Sequence, residues 1–400
     1  MSLNSTPNAN RLHIGFFGVT NSGKSSIVNA ITNQQLAIVS DTKGTTTDPV
    51  YKAMELLPLG AVTIIDTAGI DDISELGSLR VQKTIQVIHK TDIAVLVTEA
   101  FRSLLPCELE LIRTFKDNHI PYSIAYNKSD LLTDTIDTPK DGVLVSGLNR
   151  QNIEALKEYI AHLVPTDDGS VKLIADLVQP NDFVVLVTPI DQSAPKGRLI
   201  LPQQQTIRDV LEADATAIVV KEFQLKDTLN SLNKKPTLVV TDSQVFAKVS
   251  ADTPTDIKLT SFSILMARYK GLLDTAVRGV KTLDTLENGD TILIAEACTH
   301  HRQCNDIGTV KLPNWIKDYT KKDIHFEFCS GTQFPQVLTP YKLIVHCGGC
   351  MITPREVKYR MQCALRQNVP ITNYGTTIAY IHGILKRSLE VFPELLKVIQ

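Results

Sequence analysis

Short apolar runs alternate with segments of helical spacing in the first third of the chain. Residues 14–17 and 124–127 read as buried strands, residues 62–66 form a strand that ends in an aspartate, and residues 26–31 have helical spacing. Alternating strands and helices of this kind indicate an α/β domain. We predict that this domain spans residues 1–166.

The middle of the chain has a similar pattern. The apolar runs in DFVVLVTPI, RLILP, TAIVVKE and PTLVVTD are bounded by Pro, Asp or Gly and predict strands, whereas PQQQTIRDVLEAD and QLKDTLNSLNKK have helical spacing. The segment VPTDDGS, at 164–170, predicts a boundary before them. We predict a small α/β domain at 171–258 with no catalytic constellation. Such a module favours homodimerisation, with a simple spacer as the alternative.

The pattern changes again near residue 259. Residues 260–286 are helical with a break near Gly271, and GDTILIAEAC (289–298) and YKLIVHCGGC (341–350) predict strands. A third α/β domain is therefore predicted at 259–400.

Composition narrows the class of protein. The 400 residues suggest two or three domains, and 41 basic against 43 acidic residues give a net charge of -2, with no stripe typical of nucleic-acid binding. Seven cysteines do not suggest a disulfide framework, the polar N-terminus lacks a signal peptide, and no run reaches the length of a membrane span. We expect a soluble cytoplasmic protein without a nucleic-acid or membrane partner.

A phosphate-binding motif lies between the first predicted strand and helix. Gly18-x-x-x-x-Gly23-Lys24-Ser25 lets backbone N–H groups converge on phosphates at a helix N-terminus. Lys24 is expected to reach the β- and γ-phosphates, and the Ser25 hydroxyl is expected to hold Mg²⁺. The candidate residues of this loop are Gly18, Asn21, Ser22, Gly23, Lys24, Ser25 and Ser26.

Three further motifs predict GTP as the nucleotide. Asp66 is placed to orient Mg²⁺ through water, and Gly69 is free to bond the γ-phosphate. The Asp130 carboxylate can accept both the ring N–H and the exocyclic amine of guanine, a pair that adenine does not offer. The remaining base-contacting candidates are Asn127, Lys128, Ser146 and Gly147. The first domain is therefore predicted to be a P-loop GTPase that uses GTP and Mg²⁺.

The switch segment KGTTTDP, at 43–49, resembles that of the TrmE–Era group of GTPases. Ile70 stands where Ras-like enzymes place a water-orienting Gln, so another group must assist hydrolysis. The resemblance implies that Asn21 helps to hold K⁺ beside the phosphates, with a plain turn residue as the alternative. Thr45, Thr46 or Thr47 is expected to close over Mg²⁺, and we choose Thr46.

Cysteine and histidine residues stand at the ends of two predicted strands in the third domain. Cys298-Thr299-His300 ends one run and His346-Cys347-Gly-Gly-Cys350 ends the other, so both sets can project from one sheet edge. A helix is predicted next, with Thr353 as N-cap, Pro354 at its first position and Glu356 closing a capping box. The spacing is compatible with zinc and with an iron–sulfur cluster, and it does not separate them.

The whole chain resembles the HydF family, the GTPase scaffolds that mature [FeFe]-hydrogenase. The stretches that carry the resemblance are TSFSILMARYKG, DIGTVKLPNW, HCGGCMITPRE and VPITNYGTTIAYIHGIL. It implies a [4Fe–4S] cluster on Cys298, Cys347 and Cys350, a diiron precursor received from two radical-SAM partners, and delivery to apo-hydrogenase. The position after Cys-x-His is Glu in some members and is His301 here. The fourth ligand therefore stays open among His300, His301, His346 and water.

Two other functions compete with this interpretation. One is a TrmE–Era-type GTPase of tRNA modification or ribosome assembly, which has no use for the thiols of the third domain. The other is a zinc-containing, GTP-dependent metallochaperone. The remaining thiols are expected to be core or incidental residues; they are Cys107, Cys304, Cys329 and Cys363.

Overall fold

A computed structural model describes residues 6–33, 49–70, 84–132, 141–164, 172–190, 199–297, 306–331 and 333–399. The predicted site residues Thr46, Cys298, His300 and His301 lie outside these ranges, as does Cys304. The chain divides into two compact units, Met1–Asp168 and Gly169–Gln400.

The first unit is an α/β sheet with the strand order β2-β3-β1-β4-β5-β6 over its described residues. Only β2 in this sheet runs antiparallel to its neighbour, β3. The strands are β1 (Leu12–Phe17), β2 (Val50–Leu56), β3 (Gly60–Asp66), β4 (Ile93–Glu99), β5 (Tyr122–Asn127) and β6 (Gly142–Leu144). The helices are α1 (Lys24–Thr32), α2 (84–88), α3 (Pro106–Asp117) and α4 (Ile153–His162).

The first apolar run of the sequence forms β1, a buried strand at the centre of the sheet. Its neighbours are β3 and β4, and Ile14 pairs with Ile64 on one side and Ile93 on the other. Ile14, Phe16 and Phe17 are fully buried because helices cover both faces of a parallel sheet. The functional loops of the unit follow the carboxyl ends of β1, β3 and β5.

The second unit contains two parallel sheets in its described part, with the orders β10-β9-β7-β8 and β12-β11-β13-β14. The strands are β7 (Phe183–Val187), β8 (Thr216–Val220), β9 (Leu238–Thr241), β10 (Lys258–Ser261), β11 (Thr291–Ala295), β12 (His325–Cys329), β13 (Leu343–His346) and β14 (Ile371–Asn373). The helices are α5 (Leu201–Glu212), α6 (Leu225–Ser231), α7 (Phe246–Asp252), α8 (Phe262–Tyr269), α9 (Leu273–Val280), α10 (Leu312–Thr320), α11 (Pro354–Arg366), α12 (Tyr374–Ile381), α13 (Leu385–Ser388) and α14 (Pro393–Ile399).

One hydrophobic core joins the two sheets of this unit. It includes Val185 of β7, Leu265 of α8 and Val345 of β13, all fully buried. The predicted boundary between residues 258 and 259 falls within β10, and the three predicted domain ranges stay a prediction. The predicted helical break near Gly271 is confirmed, because α8 ends at Tyr269 and α9 begins at Leu273.

The strand predicted in RLILP is wrong over its described residues. Leu201 begins helix α5, and Pro202 occupies the first turn of that helix. Proline is well suited to this position because its fixed φ is helical and it has no N–H to satisfy. The apolar residues before the proline resembled a strand because short apolar runs do not reveal their period.

The described helices include none that is both long and apolar enough to cross a membrane.

Candidate functional site

The phosphate loop, residues 18–25, connects β1 to α1. Gly18 and Gly23 have φ values of +149° and +89°. A Cβ atom on Gly18 would lie 2.2 Å from the Val97 carbonyl oxygen, and one on Gly23 would lie 2.1 Å from Asn127 Nδ2. Both positions therefore require glycine, for backbone conformation and for space.

Ser25 and Asp66 meet at the predicted magnesium position. Ser25 Oγ donates to Asp66 Oδ2 at 2.8 Å, whereas Asp66 Oδ1 is buried and has no hydrogen-bond partner among the described residues. Burial raises the pKa of Asp66, and the Ser25 hydrogen bond and the Lys24 charge oppose that rise. An unsatisfied carboxylate oxygen beside a serine hydroxyl fits a Mg²⁺ ion with its bound water.

Lys24 is buried and directed towards its own loop. Its Nζ donates to the carbonyl oxygens of Gly18 at 3.0 Å and Val19 at 2.8 Å. These carbonyls hold the ammonium at the mouth of the loop, where the N-terminus of α1 also favours an anion. Engagement of β- and γ-phosphates by Lys24 would exchange these carbonyl contacts for phosphate oxygens.

Gly69 packs directly against the phosphate loop. A Cβ atom on Gly69 would lie 2.2 Å from Thr20 Oγ1 and 2.7 Å from Thr20 N. The next residue, Ile70, donates its N–H to Gly18 O at 3.4 Å, and its side chain packs on the core of the unit. Ile70 therefore contributes packing and a backbone contact at the position where Ras-like enzymes carry a glutamine.

Asn127 connects the phosphate loop to the base-contacting turns. Its Nδ2 donates to Ser22 O at 2.9 Å, and its Oδ1 accepts from Gly147 N at 3.0 Å. Ser146 Oγ accepts from Asn149 N at 3.1 Å and shapes the last turn. Asp130 is exposed, so its carboxylate is accessible to a base.

Lys128 is held by a charged network that the sequence did not indicate. Its Nζ pairs with Glu99, and Glu99 also accepts from Arg102 Nε at 3.1 Å. Arg102 binds Glu108 through both terminal nitrogens, each at 2.8 Å. Burial raises the pKa of Glu108, but hydrogen bonds from Arg102 and Leu105 N outweigh it, so the pKa lies below its usual value.

Asn21 is an exposed residue of the phosphate loop and has a φ of +64°. Asparagine tolerates this left-handed conformation better than most residues, which suits a turn. Its exposed side chain is also free to face a monovalent ion. Both interpretations of Asn21 therefore remain compatible with its conformation.

The two predicted strands that precede Cys298 and Cys347 are neighbours in one sheet, an arrangement that the sequence analysis considered. β11 and β13 are parallel, with Ala295 opposite His346. Cys347 Sγ accepts hydrogen bonds from Ala297 N at 3.1 Å and Gly349 N at 3.4 Å. We call residues 346–350 the thiolate loop. It lies beside the backbone of Ala297, the residue that directly precedes Cys298 in the sequence.

The two cysteines of the thiolate loop are half-buried. Burial raises the pKa of Cys347, and burial together with Cys347 raises the pKa of Cys350 to about 11, with Lys270 acting in the opposite direction. Iron or zinc would displace the protons, because metals bind thiolates. The N–H···S hydrogen bonds to Cys347 are a common feature of iron–sulfur ligands, so the residues present fit such a group.

His346 uses both ring nitrogens within the protein. Its Nδ1 lies 2.7 Å from Cys347 O, and its Nε2 lies 3.3 Å from Arg360 Nη1. Burial, followed by the Arg360 charge, lowers the pKa of His346 to about 3, so the ring is neutral. A neutral ring that donates from Nδ1 and accepts at Nε2 has no lone pair left for a metal.

Arg360 is the centre of this buried contact set. Its Nη2 donates to Glu356 Oε1 at 2.7 Å and to Gly331 O at 2.5 Å. Thr353 caps α11 as predicted, since its Oγ1 accepts from Glu356 N at 3.3 Å. The described hydrogen bonds of the Glu356 carboxylate lead to Arg360 and do not include the predicted return bond of a capping box.

Two residues near the thiolate loop were not predicted to belong there. Cys329 ends β12, opposite Ala295 of β11, and burial raises its pKa to about 11. Lys270 Nζ donates to Ile352 O at 2.8 Å. The signal for Cys329 was the alternating segment HFEFC, a strand that ends in a thiol, whereas no sequence pattern pointed to Lys270.

No cluster of three or more potential metal ligands occurs among the described residues. Cys298 is one of the three predicted cysteine ligands and lies outside those residues. The described part of the site is the pair Cys347 and Cys350 with its hydrogen bonds.

Comparison with protein families identifies three matched segments. Residues 274–391 match the hydrogen maturase F tetramerization domain, and residues 173–271 match the hydrogen maturase F dimerization domain. Residues 13–128 match the 50S ribosome-binding GTPase domain. The first unit is therefore a GTPase domain, and the two following matches support self-association of the chain.

Curated relatives share part of the chain. GTPase Der of Mycoplasmopsis agalactiae is 35% identical over 129 residues, which cover 31% of this chain and 29% of the relative. The tRNA modification GTPase MnmE of Nitratidesulfovibrio vulgaris is 33% identical over 171 residues, which cover 41% of this chain and 36% of the relative. The chain thus spans about a third of the length of these relatives. GTPase relatives of this kind imply the use of GTP and Mg²⁺.

Solved structures include Era of Aquifex aeolicus bound to GDP and AlF4⁻. It is 18% identical, and the similarity covers 53% of this chain and 94% of that chain with a TM-score of 0.36.

Proposed function

Because the chain belongs to the hydrogen maturase F (HydF) family and carries a GTPase domain, we propose that it is a GTP-hydrolysing scaffold for [FeFe]-hydrogenase maturation. It holds a [4Fe–4S] cluster and carries a diiron precursor to apo-hydrogenase. The observation that carries this proposal is the thiolate loop beside β11, within the segment that matches the tetramerization domain.

The GTPase site acts by positioning and charge. Lys24 would transfer its hydrogen bonds from the loop carbonyls to the β- and γ-phosphates, and Ser25 would bind Mg²⁺ while Asp66 would orient that ion through water. Gly69 would bond the γ-phosphate, and Thr46 would close over the ion. Most of the acceleration comes from holding the reacting groups in line and neutralising developing charge.

The base-contacting turns of the nucleotide site explain guanine recognition. Asp130 accepts from the two donors of guanine, and Asn127 keeps the phosphate loop and Gly147 in place. The Glu99 carboxylate restrains Lys128 beside the base position. Asn21 would help to hold a K⁺ ion beside the phosphates, which would supply positive charge in place of an arginine finger.

Cys298, Cys347 and Cys350 would hold the cluster. Three thiolates would leave one iron of a [4Fe–4S] cluster for an exchangeable ligand, which would be a docking point for a diiron precursor. His300, His301 and water remain the candidates for that position. His346 acts instead on the loop backbone, because its two nitrogens already engage Cys347 O and Arg360.

The partners follow from this role. The chain forms a homodimer, receives the precursor from two radical-SAM maturases and delivers it to apo-hydrogenase in the cytoplasm. The three domains are 1–166 for GTP, 171–258 for dimerisation and 259–400 for the cluster.

Transfer of the precursor provides the test. The protein is loaded by its maturases, isolated under anaerobic conditions and mixed with apo-hydrogenase in their absence, and hydrogen evolution is measured. We expect activity from the loaded protein and none from Cys347→Ser protein treated in the same way. Zinc in place of iron and acid-labile sulfide would favour the metallochaperone, and co-purified tRNA without hydrogenase activation would favour the TrmE–Era function.

A further inference from the structure

Lys270 is a buried lysine that binds the segment directly after the thiolate loop from another part of the unit. It follows α8 and lies at the end of the segment that matches the dimerization domain, which stops at residue 271. The residue is 1% exposed, and its Nζ donates to Ile352 O at 2.8 Å. Its partner is 82 positions away in the sequence, so only the fold brings the two together.

The carbonyl that Lys270 binds belongs to the segment that fixes the thiolate loop. Ile352 follows Cys350 by two positions and precedes Thr353, the N-cap of α11. Its N–H donates to Gly349 O at 3.3 Å, so Ile352 closes the turn that contains Cys350 and begins two positions after Cys347. The hydrogen bond from Lys270 to Ile352 O therefore limits the movement of Cys347 and Cys350.

The helix before Lys270 is anchored to the same sheet. Ser263 Oγ accepts from Gly375 N at 3.2 Å, and Ser263 O accepts from Asn373 Nδ2 at 3.2 Å. Asn373 ends β14, the strand beside β13. Because α8 is tied to β14 at its start and Lys270 follows its end, the ammonium has a defined position relative to the thiolate loop.

Charge gives this contact a second consequence. A desolvated ammonium favours negative charge in its surroundings far more than an exposed one does. Cys347 and Cys350 supply that charge when they bind metal as thiolates.

We propose that Lys270 is a positioning residue for the thiolate loop and a counter-charge for the thiolates, so that the end of the dimerization segment tunes the metal group bound next to it. This inference rests on the proposed function, which places a [4Fe–4S] cluster on Cys347 and Cys350. A nearby positive charge stabilises the more negative, reduced form of such a cluster, so Lys270 raises its reduction potential.

The experiment compares two neutral variants of the full-length protein. Lys270→Met retains the length and apolar stem of the side chain, whereas Lys270→Gln also retains an amide donor. Lys281→Met is the matched control, because Lys281 is an exposed lysine whose charge is screened by water. Each protein is reconstituted with iron and sulfide under anaerobic conditions, and the midpoint potential is measured by a redox titration followed by electron paramagnetic resonance.

We expect both Lys270 variants to shift the midpoint potential to more negative values and the Lys281 variant to leave it unchanged. We also expect Lys270→Met to lose iron to a chelator several-fold faster than wild type. If both Lys270 variants had the midpoint potential of wild type, Lys270 would not act as a counter-charge, whatever the iron content of the variants.

Hydrogen exchange in the metal-free protein tests the positioning role independently of the cluster. The amides of Gly349 and Ile352 should exchange faster in Lys270→Met than in wild type, because the tether on Ile352 is lost. Unchanged exchange would overturn the positioning role. A wild-type protein that takes up no iron or sulfide would refute the proposed function, while the exchange result would still decide whether Lys270 holds the loop.

Discussion

The phosphate loop and the thiolate loop have similar local architecture, but they present different chemical groups to a ligand. Each follows a parallel strand and precedes a helix, β1 and α1 in the first case and β13 and α11 in the second. Each contains a glycine with positive φ, Gly23 at +89° and Gly349 at +64°. A strand–loop–helix connection places loop atoms at the carboxyl edge of a sheet, where ligands commonly bind in α/β folds.

The phosphate loop has local support, and Asn127, 105 positions from Ser22, adds a distant hydrogen bond. Lys24 binds carbonyls five and six positions away, and the loop offers backbone N–H groups and the N-terminus of α1 to its ligand. The thiolate loop depends on distant groups: Ala297, 50 positions from Cys347, and Lys270, 82 positions from Ile352. A loop that binds through its own backbone can be recognised from its sequence, whereas a loop that binds through two thiols needs the rest of the fold to complete and orient it.

The largest expected effect comes from removing a thiol. Cys347→Ser or Cys350→Ser should abolish cluster binding, because serine is a poor ligand for iron and too few thiolates remain. Iron and acid-labile sulfide are measured after anaerobic reconstitution. GTP hydrolysis should be unchanged, because its motifs lie in the first unit.

Cys363→Ser is the matched control for the thiol substitutions, since Cys363 is a half-buried cysteine on α11 of the same unit. Its iron content should equal that of wild type. Full iron retention in the Cys347 or Cys350 variant would show that the ligand set is misassigned, and Cys329 would be the next candidate.

The base-binding end of the phosphate site should show the next largest effect. Asp130→Asn replaces a charged double acceptor by an amide, so GTP affinity should fall by about 10–100-fold, equivalent to about 1.5–3 kcal/mol for hydrogen bonds to a charged group. In xanthosine triphosphate a carbonyl acceptor replaces the exocyclic amine donor of guanine. This nucleotide should bind the variant more tightly than GTP does. Calorimetric titration measures both affinities.

Asp141→Asn serves as the control for Asp130→Asn, because Asp141 pairs with the Tyr126 hydroxyl at 3.4 Å outside the base-binding motif. If the Asp130 variant bound GTP with wild-type affinity, the assignment of guanine recognition to Asp130 would be wrong.

A smaller effect is expected from the monovalent ion. Hydrolysis should be faster in KCl than in NaCl, and Asn21→Gly should remove that difference. Glycine is the informative substitution because Asn21 has a φ of +64°, where alanine would add about 1 kcal/mol of backbone strain. Steady-state phosphate release in the two salts provides the measurement. Equal wild-type rates in both salts would exclude the potassium role and leave the GTPase assignment intact.

The last prediction concerns the charged network of Glu99, Arg102 and Glu108 that holds Lys128, and it is expected to have the smallest effect on function. Glu108→Gln should lower the free energy of unfolding of the GTPase domain by about 1–3 kcal/mol at pH 7, because one partner of the Arg102 pair loses its charge. The Glu108 pKa lies below its usual value of 4.5 in the folded protein, so this stabilisation is present above pH 4.5 and is lost as the pH falls through the folded pKa. The difference between wild type and variant should therefore shrink on acidification.

Calorimetry can assign the Glu108 effect to the correct unit, because bound GDP shifts only the transition of the GTPase domain. Glu110→Gln is the control, as Glu110 is an exposed carboxylate on the same helix, α3. A difference between wild type and Glu108→Gln that stayed constant from pH 7 to pH 4 would contradict a charge-dependent contribution.

Sequence reasoning reached furthest where the determining contacts are local. The phosphate motif lies between a strand and a helix as predicted, and Thr353 caps α11 through Glu356 N, three residues further on. It failed at RLILP, where Pro202 starts a helix and the apolar residues gave no clear period. It also assigned the Glu356 carboxylate to its own helix cap, whereas a buried arginine one turn away binds that carboxylate.

The sequence by itself determined the class of the first unit, because glycine conformation, strand burial and the reach of Lys24 and Ser25 depend on neighbouring residues. Only the tertiary structure decided the sheet order β12-β11-β13-β14, which places Cys329 opposite Ala295. It likewise placed Lys270 and Arg360 around the thiolate loop, because buried charges find their partners through packing between distant segments, and no local pattern encodes those partners.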